Sequence, residues 1–123
     1  MKKIYIVSLA SALLLAGCGQ KEKHHEKYYQ TLFCNKMNGV MEQSLLDRTR
    51  IDCLTDEYAI EVDFAKKWAE SVGQSLYYAQ MTGKKPAVAF ILDDSKKDQR
   101  HLKRLKVLAD KYHITIFKIN KGV

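Results

Sequence analysis

Two carboxylates of this chain, Asp52 and Glu61, face each other across a predicted turn. The segment 49–63 has the pattern of a β-hairpin, and centring its turn on residues 56 and 57 pairs Asp52 with Glu61. Like charges at directly opposite positions destabilise a pair of strands. We therefore expect either a cation that neutralises the two charges or a proton that the two groups share.

Two further acids extend this group. Glu61 and Asp63 are two residues apart on one predicted strand, so their side chains share a face. Glu42 lies on the preceding strand, which a meander would place beside Asp52. Carboxylate oxygens suit Mg²⁺ or Mn²⁺, and a metal-activated water can attack a phosphodiester. The pattern predicts a metal site formed by Glu42, Asp52, Glu61 and Asp63.

The hydrophobic periodicity predicts the elements that position these acids. Helical spacing covers three segments, at residues 28–37, 65–81 and 97–112. Strand patterns cover five segments, at residues 40–46, 50–54, 58–62, 87–92 and 114–119. The order α-β-β-β-α-β-α-β is a meander followed by crossovers. It predicts an α/β fold with a small mixed sheet covered by helices.

This order, with Glu42, Asp52 and Glu61 on three successive strands, resembles the PD-(D/E)XK nuclease superfamily of restriction endonucleases and Holliday-junction resolvases. Gln74 and Tyr78, in the helix after the third strand, are similar to a Gln-x-x-x-Tyr signature found in several of its branches. The resemblance covers nearly the whole predicted domain. It implies a restriction-endonuclease-like core and a Mg²⁺-dependent endonuclease, with Asp52, Glu61 and Gln74 in catalysis and Tyr78 contacting substrate.

One position departs from the superfamily pattern. A lysine that orients the attacking water is expected two residues after the acid of the third strand, but Asp63 occupies that position. Lys66 or Lys67 could reach the site from the next helix instead. Lys67 shares a helical stripe with Gln74 and Tyr78, so we assign the catalytic role to Lys67. The alternatives are that this stripe faces solvent and that Asp63 caps the helix.

The first residues predict export. Residues 1–17 combine a basic start with an apolar run too short to span a bilayer, and the sequence Leu-Ala-Gly-Cys ending at Cys18 resembles a bacterial lipobox. The resemblance implies that Cys18 carries palmitate or a similar acyl chain; an ordinary secretory signal is the alternative. Gly19 mildly favours the outer membrane, facing the periplasm. Residues 18–30 form a predicted polar tether, leaving about 90 residues, 31–123, for the nuclease-like domain.

The remaining cysteines, Cys34 and Cys53, are an even pair for an oxidising compartment. Strand alternation directs Cys53 away from the acids, and we expect it to lie with Ile51, Ile60 and Val62 against the helix that carries Cys34. We predict a Cys34–Cys53 disulfide, with two buried thiols as the alternative.

The charge of the chain is compatible with more than one partner. A formal net charge of +7 fits nucleic acid or anionic lipid and proves neither. The basic segment 96–106 could contact a phosphate backbone or form a solvated face. The first hypothesis is a lipid-anchored periplasmic nuclease. The alternative is a non-catalytic binding or envelope-interaction lipoprotein that retains a degenerate nuclease fold. The sequence leaves the oligomeric state open.

Overall fold

The computed structural model describes residues 24–123 and shows a mixed α/β architecture, which confirms the predicted fold class. The predicted signal peptide and Cys18 lie outside the described residues. No helix within residues 24–123 has the length and apolar character needed to cross a bilayer. The elements are helix α1 (Glu26–Lys36), strands β1 (Val40–Ser44), β2 (Arg50–Leu54) and β3 (Tyr58–Phe64), a 3₁₀ turn (Ala65–Lys67), helix α2 (Trp68–Thr82), strand β4 (Lys85–Leu92), helix α3 (Lys96–Tyr112) and strand β5 (Thr115–Asn120).

The five strands form one sheet in the order β1-β2-β3-β4-β5. β1, β2 and β3 are antiparallel neighbours, whereas β3, β4 and β5 run parallel. The hairpin register agrees with the prediction near the turn, where Cys53 lies opposite Ile60 and Leu54 lies opposite Ala59. β3 and β4 are buried along almost their whole length, as expected of central strands covered by helices on both faces.

Each face of the sheet has its own core. On one face, α1 packs Tyr29 and Cys34 against Ile60 and Val62 of β3. On the other face, α2 and α3 pack against β4, with Phe90 at the centre of the contact. Burial of apolar surface on both sides of β3 and β4 holds the helices in place. It also puts the acids of β3 in the interior of the protein.

A disulfide joins α1 to β2. It links Cys34 to Cys53, the two partners predicted from the sequence, and their Cα atoms are 5.6 Å apart. Gly39 passes directly over this bond, and a Cβ atom at that position would collide with both sulfur atoms. The α1–β1 connection can approach the disulfide this closely because Gly39 has no side chain.

The prediction that Ile51 lies on the same face of the sheet as Cys53 was wrong. Ile51 packs with Ala59 and Tyr78 on the α2 side, whereas Cys53 packs on the α1 side. Regular alternation would have put Ile51 and Cys53 together. It fails at Asp52, whose carboxylate accepts the Val62 backbone N–H at 2.8 Å.

The predicted tether also extended too far along the chain. α1 begins at Glu26, and Tyr29 and Gln30 are buried. The Tyr29 ring packs in the core, and its hydroxyl accepts the Gly122 backbone N–H at 3.1 Å. The polar composition of this segment concealed a helix with one buried side.

Candidate functional site

Four elements bring charged side chains together where β3 ends. β2 provides Asp52, β3 provides Glu61 and Asp63, the 3₁₀ turn provides Lys67, and α1 provides Glu26. Glu61 and Asp63 are 3% and 4% exposed because β3 is a central strand under α2. We call Asp52, Glu61 and Asp63 the acid cluster. Three carboxylates in so small a buried volume are costly unless protons or cations compensate them.

Asp52 and Glu61 lie close enough for each to influence the pKa of the other. Burial raises the pKa of Glu61 strongly, and the charges of Asp52 and Asp63 raise it further. Burial also raises the pKa of Asp52, although the Val62 N–H opposes that shift. These shifts favour the protonated form of Glu61 at neutral pH, and both a shared proton and a bound cation stay predictions.

The pKa of Asp63 lies near neutral pH. Burial is the main cause that raises the pKa of Asp63 to about 7, and the charges of Glu26 and Asp52 contribute. Asp63 Oδ2 and Glu61 Oε1 are buried and have no hydrogen-bond partner among the described residues. Neither the 3₁₀ turn nor α2 has a side-chain cap at its N-terminus, so the capping alternative for Asp63 was wrong.

Lys67 reaches the acid cluster from the 3₁₀ turn. Its Nζ lies 3.1 Å from Glu26 Oε2 and 4.0 Å from Asp63 Oδ1. The hydrogen bond to Glu26 raises the pKa of Lys67, which keeps the amine charged. Lys66, the other lysine considered from the sequence, is exposed and points its amine toward the Phe64 ring at 5.9 Å. The structure therefore separates the two lysines, and only Lys67 contacts the acids.

α2 buries part of the stripe assumed in the solvated-stripe alternative together with part of the neighbouring stripe. Val72 packs in the core with Leu76. Ser71, Ser75 and Tyr78 are also buried, and Ala69 is exposed. The chain enters α2 through a 3₁₀ turn, which has three residues per turn and shifts the phase of the helix. Lys67 and Gln74 are half-buried at the edge of this buried face, and Lys67 contacts Asp63.

Of the two signature residues on α2, the structure brings one to the acid cluster. Tyr78 is buried against Ile51 and Ala59. Burial is the main cause that raises the pKa of Tyr78, and the charge of Glu61 raises it further. Gln74 is half-buried, and within residues 24–123 no hydrogen bond connects it to the cluster.

Glu42 lies beside the acid cluster but is held by other groups. Its Oε1 accepts hydrogen bonds from Lys27 Nζ at 2.7 Å and Gln30 Nε2 at 3.1 Å, and Arg50 lies 3.7 Å from its Oε2. The Lys27 hydrogen bond is the main cause that lowers the pKa of Glu42. Gln30 also donates to the Asp52 carbonyl oxygen at 2.9 Å, so α1 holds β1 and β2 together here.

The acids fit a divalent cation only as a two-carboxylate site. Within residues 24–123, no three carboxylate, histidine or cysteine side chains form a group with metal-binding geometry. Mg²⁺ can bind through one or two carboxylates and keep several waters. The Asp52–Glu61 pair, with Glu61 Oε1 unpartnered, fits that smaller requirement. Glu42 is paired with Lys27 and Arg50 in this structure, and its role as a metal ligand stays a prediction.

Sequence reasoning missed Glu26 and Ser71. Glu26 was placed in the tether, although an acid in the first turn of a helix is a common arrangement. Ser71 lies close enough to Asp63 to lower its pKa, and its hydroxyl donates to the Lys67 carbonyl at 2.8 Å. The four-residue spacing of Ser71 and Ser75 was an available signal, because small side chains let a helix approach a sheet closely. No local pattern pairs Glu26 with a residue as distant as Lys67.

Comparisons with protein-family models, curated protein sequences and solved structures found no match for this chain. The interpretation of the site therefore depends on the acid cluster, on Lys67 and on the topology of the sheet.

Proposed function

We propose that this protein is a nuclease-like enzyme that hydrolyses phosphodiester bonds of DNA or RNA with Mg²⁺ or Mn²⁺. The observation that supports this most directly is the position of Lys67, whose amine lies 4.0 Å from Asp63 beside the buried Asp52–Glu61 pair. An antiparallel meander that continues into parallel strands also supports a core like that of PD-(D/E)XK nucleases.

Each residue has a role in this proposal. Asp52 and Glu61 would hold the metal, which supplies water activation and charge neutralisation when bound. Lys67 stabilises negative charge on the phosphate, and Glu26 positions its amine. Asp63, with a pKa of about 7, is suited to accept a proton near neutral pH.

The proposal places the protein in the bacterial envelope. Acylation at Cys18 would anchor it in a membrane, and we propose the periplasmic side of the outer membrane. The Cys34–Cys53 disulfide supports an exported protein, because such bonds persist in oxidising compartments.

Cleavage of nucleic acid tests the proposal directly. The full-length protein, purified in a non-ionic detergent, is incubated with plasmid and with single-stranded DNA and RNA in Mg²⁺, Mn²⁺ or EDTA. We expect metal-dependent cleavage that falls by about 100-fold or more in Asp52→Asn and Glu61→Gln. Asp93→Asn, an acid outside the cluster, should retain activity. The proposal is wrong if no metal supports cleavage or if the two cluster variants cleave normally.

A non-catalytic binding or envelope-interaction protein is the second candidate, and the burial of the acids favours it. Glu61 and Asp63 are almost inaccessible, so a phosphate could contact them only after the site opens. This candidate predicts nucleic-acid binding with a steep salt dependence and no turnover. Absence of nucleic-acid binding at low salt would instead indicate an envelope-interaction protein.

A further inference from the structure

α3 presents a row of basic side chains to solvent. Its apolar side, with Leu102 and Leu105, is buried against the sheet and α2. The opposite side carries exposed cations at helical spacing. We call this set the α3 basic face; it consists of Lys96, Lys97, Arg100, Lys103, Arg104 and Lys111.

The charges of the α3 basic face are not neutralised within the part of the chain that the structure describes. None of its six cations lies within ion-pair distance of an acidic side chain there. Some lysines elsewhere in the described chain do pair with glutamates, as Lys27 and Lys85 show. Six uncompensated cations on one side of one helix create a positive potential that attracts an external polyanion.

This face adjoins the acid cluster. α3 packs against the 3₁₀ turn that carries Lys67. The next residue, Trp68, contributes to the contact with α3, and the Arg104 guanidinium lies 5.9 Å from its ring. Lys67, which contacts Asp63, and Arg104, in the middle of α3, therefore both lie beside Trp68.

We infer that the α3 basic face binds the phosphate backbone of a nucleic acid and directs the strand toward the acid cluster. This inference rests on the proposed function and names the surface that would hold the substrate. The distance from Lys96 to Lys111 is roughly 22 Å at 1.5 Å per helical residue. That length matches on the order of six nucleotides, at 3.4 Å per nucleotide along one nucleic-acid strand.

The composition of the face favours nucleic acid over a membrane surface. Helices that lie in a membrane interface expose large apolar side chains beside their basic residues. The leucines of α3 that could insert are used in the core, and only Val107 interrupts the basic row at its centre. A face of this kind offers charge to phosphates and little apolar surface to acyl chains.

Binding without cleavage tests the inference. Full-length protein in detergent and EDTA is titrated into fluorescent 20-nucleotide single-stranded and duplex DNA, and the anisotropy is followed at several salt concentrations. The variant Arg100→Gln/Lys103→Gln/Arg104→Gln removes three charges from the face. The control Lys36→Gln/Arg48→Gln/Lys118→Gln removes three exposed charges elsewhere. With about 0.9 counterions released per duplex contact, the α3 variant should lower the salt slope by about 2.7 and the control should leave it unchanged.

The outcomes distinguish this inference from the proposed enzyme. A selective loss of binding in the α3 variant supports the face even if the wild-type protein never cleaves DNA. Equal DNA affinities of the two variants would overturn the inference. This would hold even if the wild-type protein cleaves DNA and the variants do not. Loss of attraction to phosphatidylglycerol vesicles in the α3 variant, with DNA binding intact, would also overturn it and identify a membrane-facing helix.

Discussion

Acidic side chains lie near the carboxyl ends of the neighbouring parallel strands β3 and β4. The two groups of acids differ in whether the surrounding residues supply hydrogen-bond and ion-pair partners. After β4, Asp98 Oδ2 accepts the Asp93 backbone N–H at 3.0 Å and lies 2.9 Å from Lys121 Nζ. On β3, Glu61 and Asp63 each keep a buried oxygen without a partner among the described residues. The acids after β4 therefore have hydrogen-bond and ion-pair partners, whereas the two acids on β3 each keep an unpartnered oxygen.

The electrostatics of the two groups follow from these contacts. Hydrogen bonds from Ser95 are the main cause that lowers the pKa of Asp93. Burial raises the pKa of Asp63 to about 7. The first group closes the start of α3, where Ser95 also accepts the Asp98 N–H as a helix cap. Perturbed acids that the fold does not compensate are typical of sites that carry out chemistry.

The largest expected effect is a pH dependence of stability caused by the acid cluster. Above pH 4.5 the unfolded chain releases protons that folded Glu61 and Asp63 retain, so the folded state binds more protons. Stability is therefore complete below the unfolded pKa values and is lost as pH rises through the folded ones. Urea unfolding in EDTA should show a free energy of unfolding that decreases by on the order of 4 kcal/mol between pH 5 and pH 9.

Asp63→Asn is the variant that sharpens this result. It removes one titrating group and should flatten the decrease over the range around pH 7. Asp93→Asn acts on a lowered pKa, which contributes stability at high pH that is lost as pH falls, so it should leave the alkaline decrease unchanged. Equal pH profiles for the wild type and Asp63→Asn would contradict the assignment.

The disulfide should have the next largest effect on stability. Its loss should loosen the acid cluster and leave the acids at the start of α3 unaffected. Cys34 and Cys53 close a loop with a sequence separation of 19, and Cys34→Ala/Cys53→Ala should cost about 3 kcal/mol of stability. α1 would then hold Glu26 and Gln30 less firmly against the acid cluster. Amide hydrogen exchange should increase in α1 and β2 more than at the start of α3. A uniform increase would show that α1 does not support the cluster locally.

Contacts that are local in the chain could be predicted from the sequence, whereas long-range contacts could not. The register of Cys53 with Ile60 follows from strand alternation near a turn, so it could be predicted. The reversed face of Ile51 could not, because it depends on the Asp52 carboxylate entering the β2–β3 ladder. Glu42 adopts a φ of 55° on the neighbouring strand, a conformation that no periodicity indicates.

The same reasoning applies to the candidate site. The positions of Glu61 and Asp63 on one face, and the choice of Lys67 over Lys66, follow from strand and helix periods. The contribution of Glu26 depends on how α1 docks across the sheet, and tertiary contacts of that kind leave no local pattern.

Removing one partner of the satisfied group should have a smaller but clear cost. Asp98→Asn removes the nearer of two carboxylates that Lys121 contacts, with Asp93 remaining at 3.7 Å, and weakens the acceptor for the Asp93 N–H. Because the Lys121 side chain is only partly buried, we expect a loss of about 2 kcal/mol, below the range for fully buried pairs. Asp63→Asn should instead stabilise the protein at pH 8. Urea unfolding of both variants at pH 8 checks the opposite signs, and destabilisation by both would remove the distinction between the groups.

The smallest expected effect on stability belongs to Lys67→Gln. Its ion pair with Glu26 is partly exposed on both sides, so the free energy of unfolding should change by less than about 1 kcal/mol. The pKa of Asp63 should rise further, because Lys67 lowers it. If the acid cluster carries out phosphodiester hydrolysis, cleavage should nevertheless fall by about 100-fold. Lys66→Gln, one residue away and with its amine directed at Phe64, is the matched control and should retain activity. Equal losses in the two variants would mean that general positive charge near the 3₁₀ turn, rather than the Lys67 contact with the cluster, supports the reaction.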